Sequence, residues 1–129
     1  MARPVHVFEP LWFDRDFKKS LSSLPQDQQT ERLEELRDLA LALADCRHPT
    51  HDPALARWRP SAYHVPKLSG AGLFEYRCRF PMRVIARWVG PSAAEPEGVV
   101  LLVAVTLSHD HRRLRDVLAR NRSDLRDWP

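Results

Sequence analysis

The feature that most constrains this chain is a change of period part-way along it. Up to about residue 45 the apolar side chains recur at helical spacing, and from residue 73 they alternate. In the second half Phe74, Tyr76, Cys78 and Phe80 alternate with Glu75, Arg77 and Arg79. Pro81 marks a turn, after which Met82, Val84, Ala86 and Trp88 alternate with Arg83, Ile85 and Arg87. That pattern predicts two half-buried strands. Every residue from Val99 to Val105 is apolar, as expected of a central strand covered on both faces. Upstream, Phe17, Leu21 and Leu24 form a helical stripe between a cap at Asp14 and a stop at Pro25. A longer helix is expected from about Asp27 to Asp45. Leu33, Leu36, Ala40 and Leu43 share one face, with Glu31, Arg32, Glu34, Glu35 and Arg37 on the other. A short strand at Val5 to Phe8 and a last helix capped by Asp110, with Leu114, Val117 and Leu118 inward, complete the order β-α-α-β-β-β-α. Helices grouped at the start and strands in succession indicate an α+β fold. The expectation is a small antiparallel sheet, an N-terminal helical hairpin on one face and a C-terminal helix. With 129 residues, positions 1–129 form a single domain.

Several function classes drop out. Cys46 and Cys78 stand apart with no metal-ligand spacing, which suits a reducing compartment. Met1 to Pro10 lacks the apolar core of a secretory signal, and Val99 to Val105 is too short to cross a bilayer. A cytoplasmic protein with no membrane association, metal or other cofactor is expected. The net charge of +3 permits a nucleic-acid partner and is equally compatible with plain solubility. Residues 46–66 carry His48-Pro49, Asp52-Pro53, Arg59-Pro60 and Val65-Pro66, and read as a long loop. Such a loop is either a binding segment or a surface insertion. Gly90 to Gly98 reads as a polar linker.

Phosphate-binding loops, nucleophile elbows, zinc-protease helices and dinucleotide fingerprints are all missing from the sequence. The arginines remain. Arg77 and Arg79 on one strand and Arg83 and Arg87 on the next share a parity, so a hairpin brings them to one face. Like charges there repel, and an anion relieves the repulsion, since guanidinium matches phosphate oxygens bidentately. Neutralisation by Glu75 and other acids is the alternative. At the exit of the apolar strand stands Ser108-His109-Asp110-His111-Arg112-Arg113. A helix start there turns backbone N–H groups toward negative charge, and imidazole exchanges protons near neutrality. A plain Asp110 cap with surface histidines is the alternative. His109 and His111 alone make a poor metal site.

The stretch Lys67-Leu68, Gly72-Leu73-Phe74-Glu75-Tyr76-Arg77 and Met82-Arg83-Val84-Ile85 resembles the RelE/ParE toxin superfamily, most closely its HigB or phage Gp49-like branch. Tyr76 stands where the branch usually has Leu, and Met82 where it has Tyr. The similarity runs over roughly residues 12–118. It implies a toxin of a type II toxin–antitoxin pair, a metal-independent endoribonuclease that cleaves mRNA on the ribosome and is neutralised by an antitoxin protein. In such a reaction the ribose 2′-OH attacks the adjacent phosphate, which asks for a base, an acid and cations. The resemblance puts Arg77 and Arg83 in the cationic role. His109, which aligns with a His of some relatives, or His111 is the candidate base or acid, at a place where the branch often has Lys-Lys and Thr-Pro instead. Lys67, Arg79, Arg87, Arg112 and Arg113 are then the RNA-binding residues, and Trp58, Tyr63 or Trp88 can stack a base or serve the core. A ParE-like inhibitor of DNA gyrase shares the fold without needing the histidines. A non-catalytic RNA- or protein-binding module also fits the basic face.

Overall fold

A computed structural model describes residues 3–7, 15–65, 72–79, 82–107, 111–121, 123 and 125, with backbone alone at 15, 16, 111–113 and 117. The elements are β1 (Val5–Val7), α1 (Arg15–Ser22), α2 (Gln26–Asp45), a 3₁₀ helix (Pro53–Trp58), β2 (Ser61–Ala62), β3 (Leu73–Arg77), β4 (Arg83–Val89), β5 (Val99–Thr106) and α3 (His111–Arg120). The fold is α+β. The five strands lie in the order β1-β5-β4-β3-β2. All neighbours are antiparallel except β1, which pairs parallel to β5 with Val5 opposite Val100. The sheet is therefore mixed at one edge, where an antiparallel sheet was expected.

Both faces of the sheet are covered, and strand alternation divides the core in two. Tyr76, Val84, Ala86, Val100 and Leu102 project to one side, against Phe17 of α1, Leu36, Leu39 and Leu43 of α2, and Leu55 and Trp58 of the 3₁₀ helix. Leu73, Ile85, Leu101, Val103 and Ala104 project to the other side, against Tyr63, Val65, Leu118 of α3 and Leu125. Leu39 and Leu43 are almost wholly buried, worth roughly 1.5–3 kcal/mol each in apolar transfer. One irregularity interrupts the β4–β5 ladder. Ile85 pairs with Ala104 and Ala86 with Leu102, so Val103 is an extra residue. Val103 and Ala104 consequently both join the α3 side.

Two expectations are corrected. The buried stripe of α2 runs through Glu35, Leu36, Leu39 and Leu43, whereas Leu33 is exposed. At 3.6 residues per turn the stripe centres between Leu36 and Leu39, which brings Glu35 to its edge and leaves Leu33 outside. Residues 46–66 are not a bare loop either. Asp52 accepts from Ala54 N at 2.9 Å and from Arg47 N at 2.7 Å, capping the 3₁₀ helix, whose Leu55 and Trp58 enter the core. The paired short side-chain oxygens and Pro53 at the helix start are what fix this turn.

Two glycines frame the end of β4. Gly72 (φ +66°) and Gly98 (φ +78°) lie in the left-handed region. A Cβ at Gly72 would stand 2.7 Å from the carbonyl oxygen of Trp88, and one at Gly98 2.5 Å from that of Val89. Only glycine fits both the torsion and the approach.

Candidate anion site at the β3–β4 end

Antiparallel register places Arg77 of β3 directly opposite Arg83 of β4, and Arg83 in turn opposite Thr106 at the end of β5. All three lie on the α3 side of the sheet. Glu75, two residues back along β3, is on the same face and diagonal to Arg83, within reach for long side chains. It is buried and forms the counter-charge. Arg83 Nη1 donates to Glu75 Oε1 at 2.9 Å, and Arg77 Nε lies 3.5 Å from the same oxygen.

The two contacts are unequal. The Arg83 bond has the short length of a charge-assisted hydrogen bond, and its side chain is only 20% exposed. The Arg77 contact is an ion pair beyond good hydrogen-bond distance, on a side chain 51% exposed. One arginine is held and the other is loosely tethered.

Tyr63 and Arg115 extend the cluster. Arg115, on the exposed side of α3, sits with its Cζ 5.8 Å from the Tyr63 ring centroid, inside cation–π range. Burial pushes the Tyr63 hydroxyl above its ordinary pKa, with Glu75 adding to the rise and Arg115 and Arg83 opposing it. One buried carboxylate thus meets two guanidiniums, and a third stands against the neighbouring Tyr63, an arrangement with positive charge to spare. Arg115 was not anticipated from the sequence. The available signal was its helical spacing four residues after His111.

The other predicted site residues are distributed differently. Arg87 shares the parity of Arg83 but lies opposite Leu73 and Leu101, beyond the fully buried Ile85. That is about 13 Å along the strand at roughly 3.3 Å per residue, so Arg87 stands apart from the pair. The arginine-bearing face is therefore not open along its length. Leu118 and Leu125 pack with Ile85 and Leu101, and the exposed part is the Arg77–Arg83 end. Arg79 follows the end of β3, and its backbone N lies 3.4 Å from Glu35 Oε1 of α2. Its side chain is exposed. Lys67 and His109 lie outside the described residues, as do the side chains of His111, Arg112 and Arg113. The backbone nevertheless leaves β5 at Thr106 beside Arg83 and starts α3 at His111.

The aromatic candidates serve packing. Trp58 and Tyr63 are buried. The Trp58 indole N–H donates to Glu35 at 2.9 Å. Trp88 donates to the Tyr76 hydroxyl at 2.9 Å and lies under the Arg3 guanidinium at 4.7 Å. Among the described residues no group of three or more His, Cys, Asp or Glu side chains is arranged to hold a metal ion, and no helix is long and apolar enough to cross a membrane. Comparison with protein-family models, with curated proteins and with solved structures returned no match to this chain.

Proposed function

We propose that this protein is the toxin of a type II toxin–antitoxin pair, a metal-independent endoribonuclease that cuts mRNA on the ribosome in the cytoplasm. The observation that carries the reading is the cross-strand Arg77–Arg83 pair at the exposed end of the sheet, beside the point where the chain runs into His109-Asp110-His111-Arg112-Arg113. Arg77 and Arg83 also carry the likeness to the RelE/HigB toxins, whereas the histidine cluster departs from the Lys-Lys and Thr-Pro with which that branch often ends its last strand. Phosphate is an anion whose oxygens planar guanidiniums grip bidentately.

In the reaction a base takes the proton from the ribose 2′-OH, whose oxygen attacks the adjacent phosphorus. The bond from phosphorus to the 5′ oxygen breaks, an acid protonates that oxygen, and a 2′,3′-cyclic phosphate remains. Arg77 and Arg83 stabilise the charge that develops on the phosphate. His109 and His111 exchange the protons. Lys67, Arg79, Arg112 and Arg113 hold the flanking RNA backbone. An antitoxin segment with acidic or apolar side chains covers the arginine end and blocks it.

The test is induced expression followed by mapping of RNA ends, in wild type and in folded Arg77→Ala and Arg83→Ala variants. Loss of one transition-state donor slows such a reaction by about 100- to 1,000-fold, so both variants should lose growth inhibition and cleavage. Arg83→Lys keeps the charge without the planar fork and should recover part of the rate. Full cleavage in both alanine variants removes them from the site. Intact RNA together with inhibited DNA supercoiling would point instead to gyrase.

A further inference from the structure

Glu75 is a buried carboxylate on the exposed, basic end of the sheet, and the reaction above gives it no part. Its single Oε1 atom holds Arg83 at 2.9 Å and tethers Arg77 at 3.5 Å. We propose that Glu75 is a positioning residue and internal stand-in for phosphate: it fixes Arg83 permanently and releases Arg77 to the RNA when a phosphate arrives. The inference rests on the ribonuclease reading and adds how its arginines are set.

The physical argument lies in the inequality of the two contacts. A guanidinium with one good bond to a buried carboxylate is oriented before substrate binds, which lowers the reorganisation needed at the moment of reaction. The more exposed partner, in a weak contact, exchanges one anion for another at little cost. The exchange also restrains the site. Without RNA, one negative charge offsets two positive ones, so binding to stray polyanions is weaker than two free arginines would give.

This predicts opposite changes in binding and turnover. Glu75→Gln removes the offsetting charge and frees Arg77, while Arg83 loses the carboxylate that aligns it. Binding of a non-cleavable 2′-O-methyl RNA oligonucleotide should tighten. Its salt slope should steepen by about 0.7, the single-strand value for one more positive charge left without an internal offset, which corresponds to about fivefold at 0.1 M salt. Turnover at saturating cleavable RNA should fall by about tenfold or more, a fraction of the effect of deleting a donor outright. Glu75→Asp keeps the charge on a shorter stem. It should bind like wild type and still turn over slowly, and it serves as a second probe should the amide variant fold poorly.

A merely structural Glu75 would weaken binding and turnover together in both variants, and that result overturns the inference. So does a pair of variants indistinguishable from wild type in slope and rate. Wild-type protein that neither binds nor cleaves RNA overturns the ribonuclease reading itself, a failure visible before any variant is compared. Wild-type cleavage with unchanged variants rejects only the role of Glu75.

Discussion

Glu35 sits among the polar residues Glu34, Arg37 and Asp38, where nothing in the sequence separates it from its exposed neighbours. Tertiary contacts do. Its carboxylate accepts from the Trp58 indole at 2.9 Å and from Arg57 Nη2 at 3.0 Å. Removal leaves a buried indole N–H without its acceptor, so Glu35→Ala should lower stability by about 2–3 kcal/mol in a denaturant titration, most of it from the indole bond. The Arg57 side is half-exposed and contributes less. The same carboxylate bears on Cys78. Burial first, and the nearby Glu35 charge second, push that thiol up to about 12. The neutral thiol is the form the fold favours, so its stabilising contribution is complete below the ordinary thiol value and is lost as pH rises toward 12. Cys78 should therefore be alkylated slowly at pH 8.5 in native protein and rapidly after unfolding, as followed by mass spectrometry. A rate equal to that of an unfolded control would refute the assignment.

Elements with a clear period were legible, and β5, which has none, was legible in position but not in phase. The β3 and β4 alternation locates both strands and gives the parity that brings Arg77 opposite Arg83. In β5 every residue from Val99 to Val105 is apolar, so the sequence carries no phase, and the extra residue at Val103 leaves no trace in it. The prolines of residues 46–66 signalled loop and concealed the 3₁₀ helix that carries Leu55 and Trp58 inward. That element depends on Asp52, whose pKa is lowered by the backbone N–H groups of Arg47 and Ala54. A depressed carboxyl stabilises the fold above its ordinary value of 3.8, and the contribution is lost as pH falls through the lowered value. Below about pH 4 the amides of Arg47 and Ala54 should lose protection relative to their intrinsic exchange rate before the sheet opens. In Asp52→Asn the protection factors of the same amides should no longer change over that range. Unchanged pH dependence in the variant would show that another group governs the turn.

At the scale of the molecule, one sheet serves two cores. The candidate site lies where the α3-side core ends, at Arg77, Arg83 and Thr106. Parity revealed that the arginines share a face. It could not reveal that Ile85 and the apolar residues of α3 divide that face, because alternation reports side and not coverage. Leu118 is fully buried there, so Leu118→Ala should cost about 2–5 kcal/mol. Against a total of about 5–15 kcal/mol for a domain, that loss is large. Thermal unfolding should remain a single transition at a lower midpoint; separate melting of α3 would show that the two cores are independent. The glycine corner carries a warning for any saturation mutagenesis of this chain. Gly72 belongs to the segment that resembles the toxin signature, yet its hydrogen is needed because the Trp88 carbonyl occupies the space a methyl would take. Gly98, far from Arg83 in sequence, is intolerant for the same reason. If the proposed toxin reading holds, both positions would score like the arginines in a survival screen for inactive clones, and a map drawn from survival alone would enlarge the active surface toward a corner where backbone packing sets the constraint. Scoring soluble abundance beside survival separates the two groups: glycine clones should disappear from the cell, whereas arginine clones should remain abundant.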